Sequence, residues 1–184
     1  MSISLLPLEI LDIIFDYLDL RSQIQFRTTC RLFREFDITN FWDTDGLIES
    51  SKITTKILKL YPKIRYLNLR DNRKVSDINF LTKVVKINVS GFCTMPDSGI
   101  SKLKNLVYLN SQNNRFIKNL SKKKKIKYLN ANGYCGINSD NIKHLDLIEF
   151  KHDQNENFDS QNSVSEITLQ LSNSICNLLN DFTR

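Results

Sequence analysis

At 184 residues, 41% hydrophobic and 25% charged, the chain has ordinary globular composition and room for one large domain or two small ones. No apolar run approaches the roughly 20 residues that span a bilayer, no basic n-region opens the chain, and Cys30, Cys93, Cys135 and Cys176 are too dispersed for a C-x-x-C pair. A membrane span, a secretory leader, a compact zinc site and a disulfide framework are therefore not expected, and reduced thiols in the cytoplasm or nucleus are.

The net charge of +6 is unevenly spread. Residues 1–42 carry four Arg against six acids, 43–145 carry twenty basic residues against seven, and 146–184 carry two against seven. Such asymmetry can steer an acidic partner without naming it. The abundance of Asn, Lys and Ile also points to AT-rich coding, which contributes to the lysine count.

In chain order, the first predicted helix runs from Leu8 to Leu18. Pro7 suits a first helical position because its missing N–H is not needed there, and Glu9 faces the positive end of the helix dipole. Leu8, Ile10, Leu11, Ile13, Ile14, Phe15, Tyr17 and Leu18 leave only Glu9, Asp12 and Asp16 for water. A core-packing helix needs an apolar stripe of roughly a third of its circumference. This one has about twice that, and the surplus reads as an interface. Ser22-Gln23-Ile24-Gln25 has capping-box spacing and predicts the start of a second helix, with Ile24, Phe26 and Cys30 on its apolar side. A third short helix is expected through Leu32, Phe33 and Phe36, closed by Phe41-Trp42.

This stretch resembles the F-box family over residues 4–42. The matching residues are Leu6-Pro7, Glu9-Ile10-Leu11, Ile14-Phe15, Tyr17-Leu18-Asp19, Ile24, Arg27, Cys30-Arg31, Phe33 and Phe41-Trp42. The resemblance implies docking onto a Skp-type adaptor, and through it onto a cullin–RING ubiquitin ligase. The implied adaptor-binding residues are Leu6, Pro7, Ile10, Leu11, Ile14, Leu18, Leu20 and Ile24. Leu20 stands where many members have proline and Gln23 where leucine is usual; both departures are expected to touch adaptor affinity more than fold. The competing reading is a helical cap on the domain that follows.

A helical connector and N-terminal cap (43–63) is predicted from Ile53, Ile57, Leu58 and Tyr61. Then the chain repeats. Ile64-x-x-Leu67-x-Leu69-x-x-Asn72 returns as Val84, Ile87, Val89; Leu106, Leu109, Ser111, Asn114; Ile126, Leu129, Ala131; Leu145, Ile148, Phe150; and Val164, Ile167, Leu169. The starting positions are 20, 22, 20, 19 and 19 apart. This pattern resembles a leucine-rich-repeat solenoid of about six copies over 64–171. Ile175, Leu178, Leu179 and Phe182 predict a capping helix over 172–184. The expected fold class is thus α/β: a small three-helix F-box, then a short solenoid with parallel strands on its concave face.

Strand alternation puts three columns on that face. They are Tyr66, Lys86, Tyr108, Tyr128, Leu147, Glu166; then Asn68, Asn88, Asn110, Asn130, Glu149, Thr168; then Arg70, Ser90, Gln112, Asn132, Lys151, Gln170. Tyr66, Asn68, Arg70, Lys86, Tyr108, Asn110, Tyr128 and Asn130 are the candidate substrate-binding residues, because aromatics beside amides and cations suit protein docking. For the asparagines the alternative is an amide ladder that only stabilises in-register strands.

Catalytic machinery is not expected. His144 and His152 sit in no nucleophile–base or H-E-x-x-H arrangement, and no glycine-rich phosphate loop occurs, so neither metal nor cofactor is implied. Lys122 to Lys125, followed by Lys127, is read as a solvated convex turn. Without interleaved aromatics it is a poor nucleic-acid binder. The sequence thus points to a non-enzymatic substrate receptor of an SCF-type ligase, with a viral host-interaction factor as one setting. The alternative is a leucine-rich-repeat scaffold, nuclear or nucleic-acid-binding through its basic middle.

Overall fold

In the computed structural model, residues 6–29, 31–42 and 48–153 are described. The expected sixth repeat, its column members Glu166, Thr168 and Gln170, and the capping helix over 172–184 lie outside them, as do Cys30 and Cys176.

The chain opens with α1 (Leu8–Asp16) and α2 (Leu20–Thr29), followed by a 3-10 turn over Leu32–Glu35. Pro7 acts as the N-cap of α1, its carbonyl accepting from Ile10 and Leu11. The second helix starts three residues earlier than its capping-box spacing suggests. Asp19, not Ser22, is its cap: Asp19 Oδ1 accepts from the Ser22 N–H at 2.7 Å. That backbone bond, with help from the Ser22 hydroxyl and Arg21, holds the Asp19 carboxyl below the usual carboxylate range. Phe15, Phe26, Phe33 and Phe36 pack between the helices and the turn, with Phe26 stacked on Phe33 at 4.1 Å.

A parallel sheet follows in strict sequence order: β1 (Asn40–Phe41), β2 (Tyr66–Asn68), β3 (Lys86–Asn88), β4 (Tyr108–Asn110), β5 (Tyr128–Asn130) and β6 (Glu149–Lys151). Between β1 and β2 lies α3 (Thr55–Lys59), capped by Thr54 Oγ1 and burying Leu58. One rung begins before the sequence pattern does. Asn40 pairs with Tyr66 and Phe41 with Leu67, so Ile38 and Phe41, both buried, already follow the alternation of the coils above. The sheet therefore starts inside the segment expected to close the helical unit.

From β2 to β5 the observed register matches the sequence pattern: Leu67, Ile87, Leu109 and Leu129 stack inward. The next coil departs from it. Tyr128 pairs with Glu149, Leu129 with Phe150 and Asn130 with Lys151. The coil reads Leu147-x-x-Phe150 instead of Leu145-x-x-Ile148, a two-residue shift; Leu147 is buried and Ile148 exposed. Leu147 thus leaves the first outward column and Glu149 takes its place, with Lys151 moving to the second.

The coils also alternate in kind. Asn72 and Asn114, 42 residues apart, are buried and tie neighbouring turns together: Nδ2 of Asn72 donates to Ser50 and Ile53, and that of Asn114 to Val89. In the intervening coils Phe92 and Tyr134 hold the same template position but turn outward, and Cys93 and Cys135 fill the interior. Burial pushes the Cys93 thiol up to about 11 and the Cys135 thiol in the same direction. Only these two coils carry a short helical turn among the described repeats, α4 (Asp97–Ile100) and the 3-10 turn Ser139–Asn141. The structural unit from β2 onward is thus a pair of coils.

Candidate protein-docking surfaces

The N-terminal helices leave large apolar side chains uncovered. Leu8, Ile10 and Ile13 on α1, Tyr17 at its C-cap and Ile24 on α2 are 43–86% exposed. Ile10, Ile13, Ile14 and Tyr17 follow i, i+3, i+4, i+7, which is one helical stripe. The opposite side is spent inside: Leu11 and Phe15 are fully buried. Of the residues expected to meet an adaptor, Pro7, Ile10 and Ile24 are exposed, and Leu6, Ile14 and Leu18 are half-buried. Leu11 and Leu20 are packed in the core and offer a partner no surface. Ile13 and Tyr17 belong to the exposed stripe although neither is among the implied adaptor-binding residues; their helical spacing was the available signal.

Gln23 has a different place from the one its departure from the family pattern suggested. It is fully buried. Its Nε2 donates to the Phe15 carbonyl at 2.9 Å and to Thr39 Oγ1 at 3.0 Å. Its Oε1 accepts from the Thr39 and Asn40 N–H groups at 3.1 and 3.2 Å. One amide thereby joins α1, α2 and the first rung of the sheet. Asp16 accepts from Thr39 Oγ1 and pairs with Arg65, and Asn40 Nδ2 donates to the Leu18 carbonyl, bracing the same joint.

On the outward side of the strands the two nearer columns stand in register. Tyr66, Lys86, Tyr108, Tyr128 and Glu149 form one, and Asn68, Asn88, Asn110, Asn130 and Lys151 the other. The tyrosines are half-buried because they lean on neighbours. Tyr108 stacks with Tyr128 at 6.4 Å and meets the edge of Trp42 at 5.5 Å. Lys86 Nζ lies 3.8 Å from the Trp42 ring centroid and 4.9 Å from that of Tyr108. Desolvation in this cage lowers the Lys86 pKa, and the two π faces partly offset that cost to the cation. Tyr66 instead lies beneath the Arg65 guanidinium. Trp42, read from sequence as the close of the helical unit, is thus a member of this aromatic group.

The asparagines do not bond to one another as a ladder would. Oδ1 of Asn68, Asn88, Asn110 and Asn130 accepts from the N–H two residues on, at 3.0–3.1 Å. Asn40 does the same with Trp42. These are Asx turns that end each strand. Arg70 is exposed and ion-paired with Asp71 at 3.4 Å.

The lysine run is not uniformly solvated. Lys122, Lys124 and Lys125 are exposed, but Lys123 is buried at the position that Leu81 and Leu103 fill in earlier coils. Its Nζ donates to the carbonyls of Ile100, Ser101 and Leu103. Burial lowers its pKa to about 8.

Among the described residues, no helix is long and apolar enough to cross a membrane, and no three His, Cys, Asp or Glu side chains are grouped to hold a metal. A family model for the F-box domain matches residues 3–44. No curated protein matches the chain.

Proposed function

We propose that this chain is a substrate receptor of an SCF-type ubiquitin ligase, without catalysis of its own and working in the cytoplasm or nucleus. F-box domains bind Skp-type adaptors of cullin–RING ligases. Here the F-box would bring its stripe of exposed Ile10, Ile13 and Tyr17 and half-buried Ile14, with Ile24, to that adaptor. The observation that carries the reading is this stripe. A helix that buries Leu11 and Phe15 has already served its core, and folding gives no reason for Leu8, Ile10, Ile13 and Tyr17 to stand in water beside half-buried Ile14.

The solenoid is read as a short leucine-rich-repeat domain whose concave, strand-bearing face takes a protein substrate. That reading is supported by coils of about 20 residues and by the interior asparagines Asn72 and Asn114 that tie turns together. The cluster of Trp42, Lys86, Tyr108 and Tyr128 supports the docking role. It offers rigid, amphipathic area with little entropy left to lose.

The test is a binding measurement with a purified Skp-type adaptor. Ile10→Ala combined with Ile13→Ala removes two exposed side chains that would each contribute roughly 1.5–3 kcal/mol if fully buried on docking. Affinity should fall tenfold or more while the melting temperature stays within about 2 °C. Wild-type affinity in the double variant would remove the basis of the proposal.

A further inference from the structure

We propose that the groove beyond the C-terminal ends of β2–β5 binds an acidic segment of the substrate protein, with Arg73 and Arg115 taking its carboxylates and Phe92 and Tyr134 its apolar side chains. The proposal rests on the receptor reading above and specifies what that receptor recognises.

The groove encloses about 1300 Å³, more than the roughly 300–1,000 Å³ of a small-molecule site, and so has the scale of a peptide. Its aromatics are not core residues that failed to be covered. Phe92 is 70% exposed and Tyr134 66%, while the adjacent Cys93 and Cys135 fill the interior in their stead. Each aromatic is held out by a fixed turn. Gly91 and Gly133 adopt φ of +70° and +65°. The Phe92 N–H donates to Asp71 Oδ1 at 2.9 Å, and the Tyr134 N–H to Asn113 Oδ1 at 3.1 Å. A backbone fixed in this way sets where each ring leaves the turn and needs no ordering when a partner arrives.

The charge of the groove is one-sided. Among the described residues Arg70, Arg73 and Arg115 line it, with Asp71 the one acid there. Asp71 is already paired with Arg70. Among the described residues neither Arg73 nor Arg115 has a carboxylate within ion-pair distance; Arg73 lies 5.0 Å from the Phe92 ring centroid. Arg73 and Arg115 are equivalent residues 42 positions apart, as are Phe92 and Tyr134. The paired-coil architecture therefore repeats one arginine–aromatic module twice along the groove. A guanidinium over the Phe92 ring and its counterpart Arg115, neither of them ion-paired among the described residues, suit carboxylates interspersed with apolar side chains. A single-stranded nucleic acid would ask for cations tracking a continuous backbone, and here Asp71 and a wall of amides (Asn88, Asn110, Gln112) interrupt them.

The experiment is fluorescence anisotropy with the full chain and a labelled glutamate-rich peptide carrying one tryptophan. Its counterpart has every glutamate replaced by glutamine, and an oligouridine is the third probe. The acidic peptide should bind, and its affinity should fall at least tenfold in Arg73→Glu/Arg115→Glu and about fivefold in Phe92→Ser/Tyr134→Ser. It should hold within twofold in Lys122→Glu/Lys124→Glu, which changes net charge equally at another exposed site. Arg73→Gln/Arg115→Gln, checked by thermal melt, guards against a folding defect. Several results would overturn the proposal: no binding of the acidic peptide to the wild type, equal binding of the glutamine peptide, an equal loss in the lysine pair, or tighter binding of oligouridine. Adaptor binding is measured in parallel. Its failure with an intact arginine dependence would refute the receptor reading and leave the groove, and the reverse pattern would refute the groove alone.

Discussion

Replacing Gln23 by leucine, the residue usual at this position in F-box sequences, should destabilise this protein. The amide makes four hydrogen bonds in a fully buried place, two as donor and two as acceptor. Each is worth about 1 kcal/mol net. The Thr39 N–H, buried and bonded to Gln23 Oε1, would lose that acceptor, at a further cost of roughly 1–3 kcal/mol. Leucine recovers about 2 kcal/mol by burying apolar surface in the same volume. The net loss is roughly 3–5 kcal/mol, a fall of about 6–20 °C in melting temperature for a chain of this size. Thermal and urea unfolding measure it, and hydrogen exchange at Thr39 and Asn40 localises it. Adaptor affinity of the folded fraction should be unchanged, because Gln23 presents no surface. A Gln23→Leu variant that melts with the wild type and binds adaptor more tightly would return Gln23 to the adaptor surface and refute its role as a joint.

Two further perturbations probe the solenoid. Gly91→Ala places a Cβ 2.1 Å from Asp71 Oδ1 at a φ of +70°; left-handed backbone strain and the broken Phe92 N–H bond together should cost roughly 2–3 kcal/mol. An unchanged melting curve would show that the turn has another conformation available. For Lys123, whose pKa falls from 10.5 to about 8 on folding, the unfolded chain holds the proton more tightly. Its burial penalty is therefore in full force below pH 8 and is relieved as pH rises toward 10.5. Because three carbonyls partly replace water around Nζ, the gain of wild type relative to Lys123→Met between pH 7 and 10 should be on the order of 1–2 kcal/mol, and a pH-independent difference would refute the assignment.

The period of the coils was readable because each one must place apolar residues at fixed intervals, and Leu67, Ile87, Leu109 and Leu129 do so without rivals. The fifth coil was not, because its sequence fits two registers. Leu145-x-x-Ile148-x-Phe150 and Leu147-x-x-Phe150 both alternate correctly, and only the pairing of Leu129 with Phe150 chooses between them. The first rung escaped notice because it is only two residues long and overlaps the helical unit. Lys123 was hidden in a run of four identical residues, where composition cannot say which one replaces a leucine. The asparagine column was legible as a column. Its chemistry was not, since an inter-strand ladder and a set of Asx turns require the same residues at the same spacing.

The joint around Gln23 has a consequence for the proposed function. A receptor that only tethered its substrate could carry its two binding surfaces on a flexible linker. Here the residues that close the helical unit are also the first rung of the sheet, and Leu11, Phe15 and Leu20 belong to the same continuous core as Ile64 and Leu67. The Asp16–Arg65 ion pair and the Asn40–Leu18 bond cross the same boundary. Opening it would expose Phe15 and Phe41 and leave the Thr39 N–H without its Gln23 acceptor, so the two surfaces keep a fixed distance and orientation. Ubiquitin transfer needs a substrate lysine held near a distant ligase centre, and a rigid joint narrows the region such a lysine can sample. Loosening the joint with Gln23→Ala should therefore impair ubiquitylation of a bound substrate more than it impairs binding of either partner.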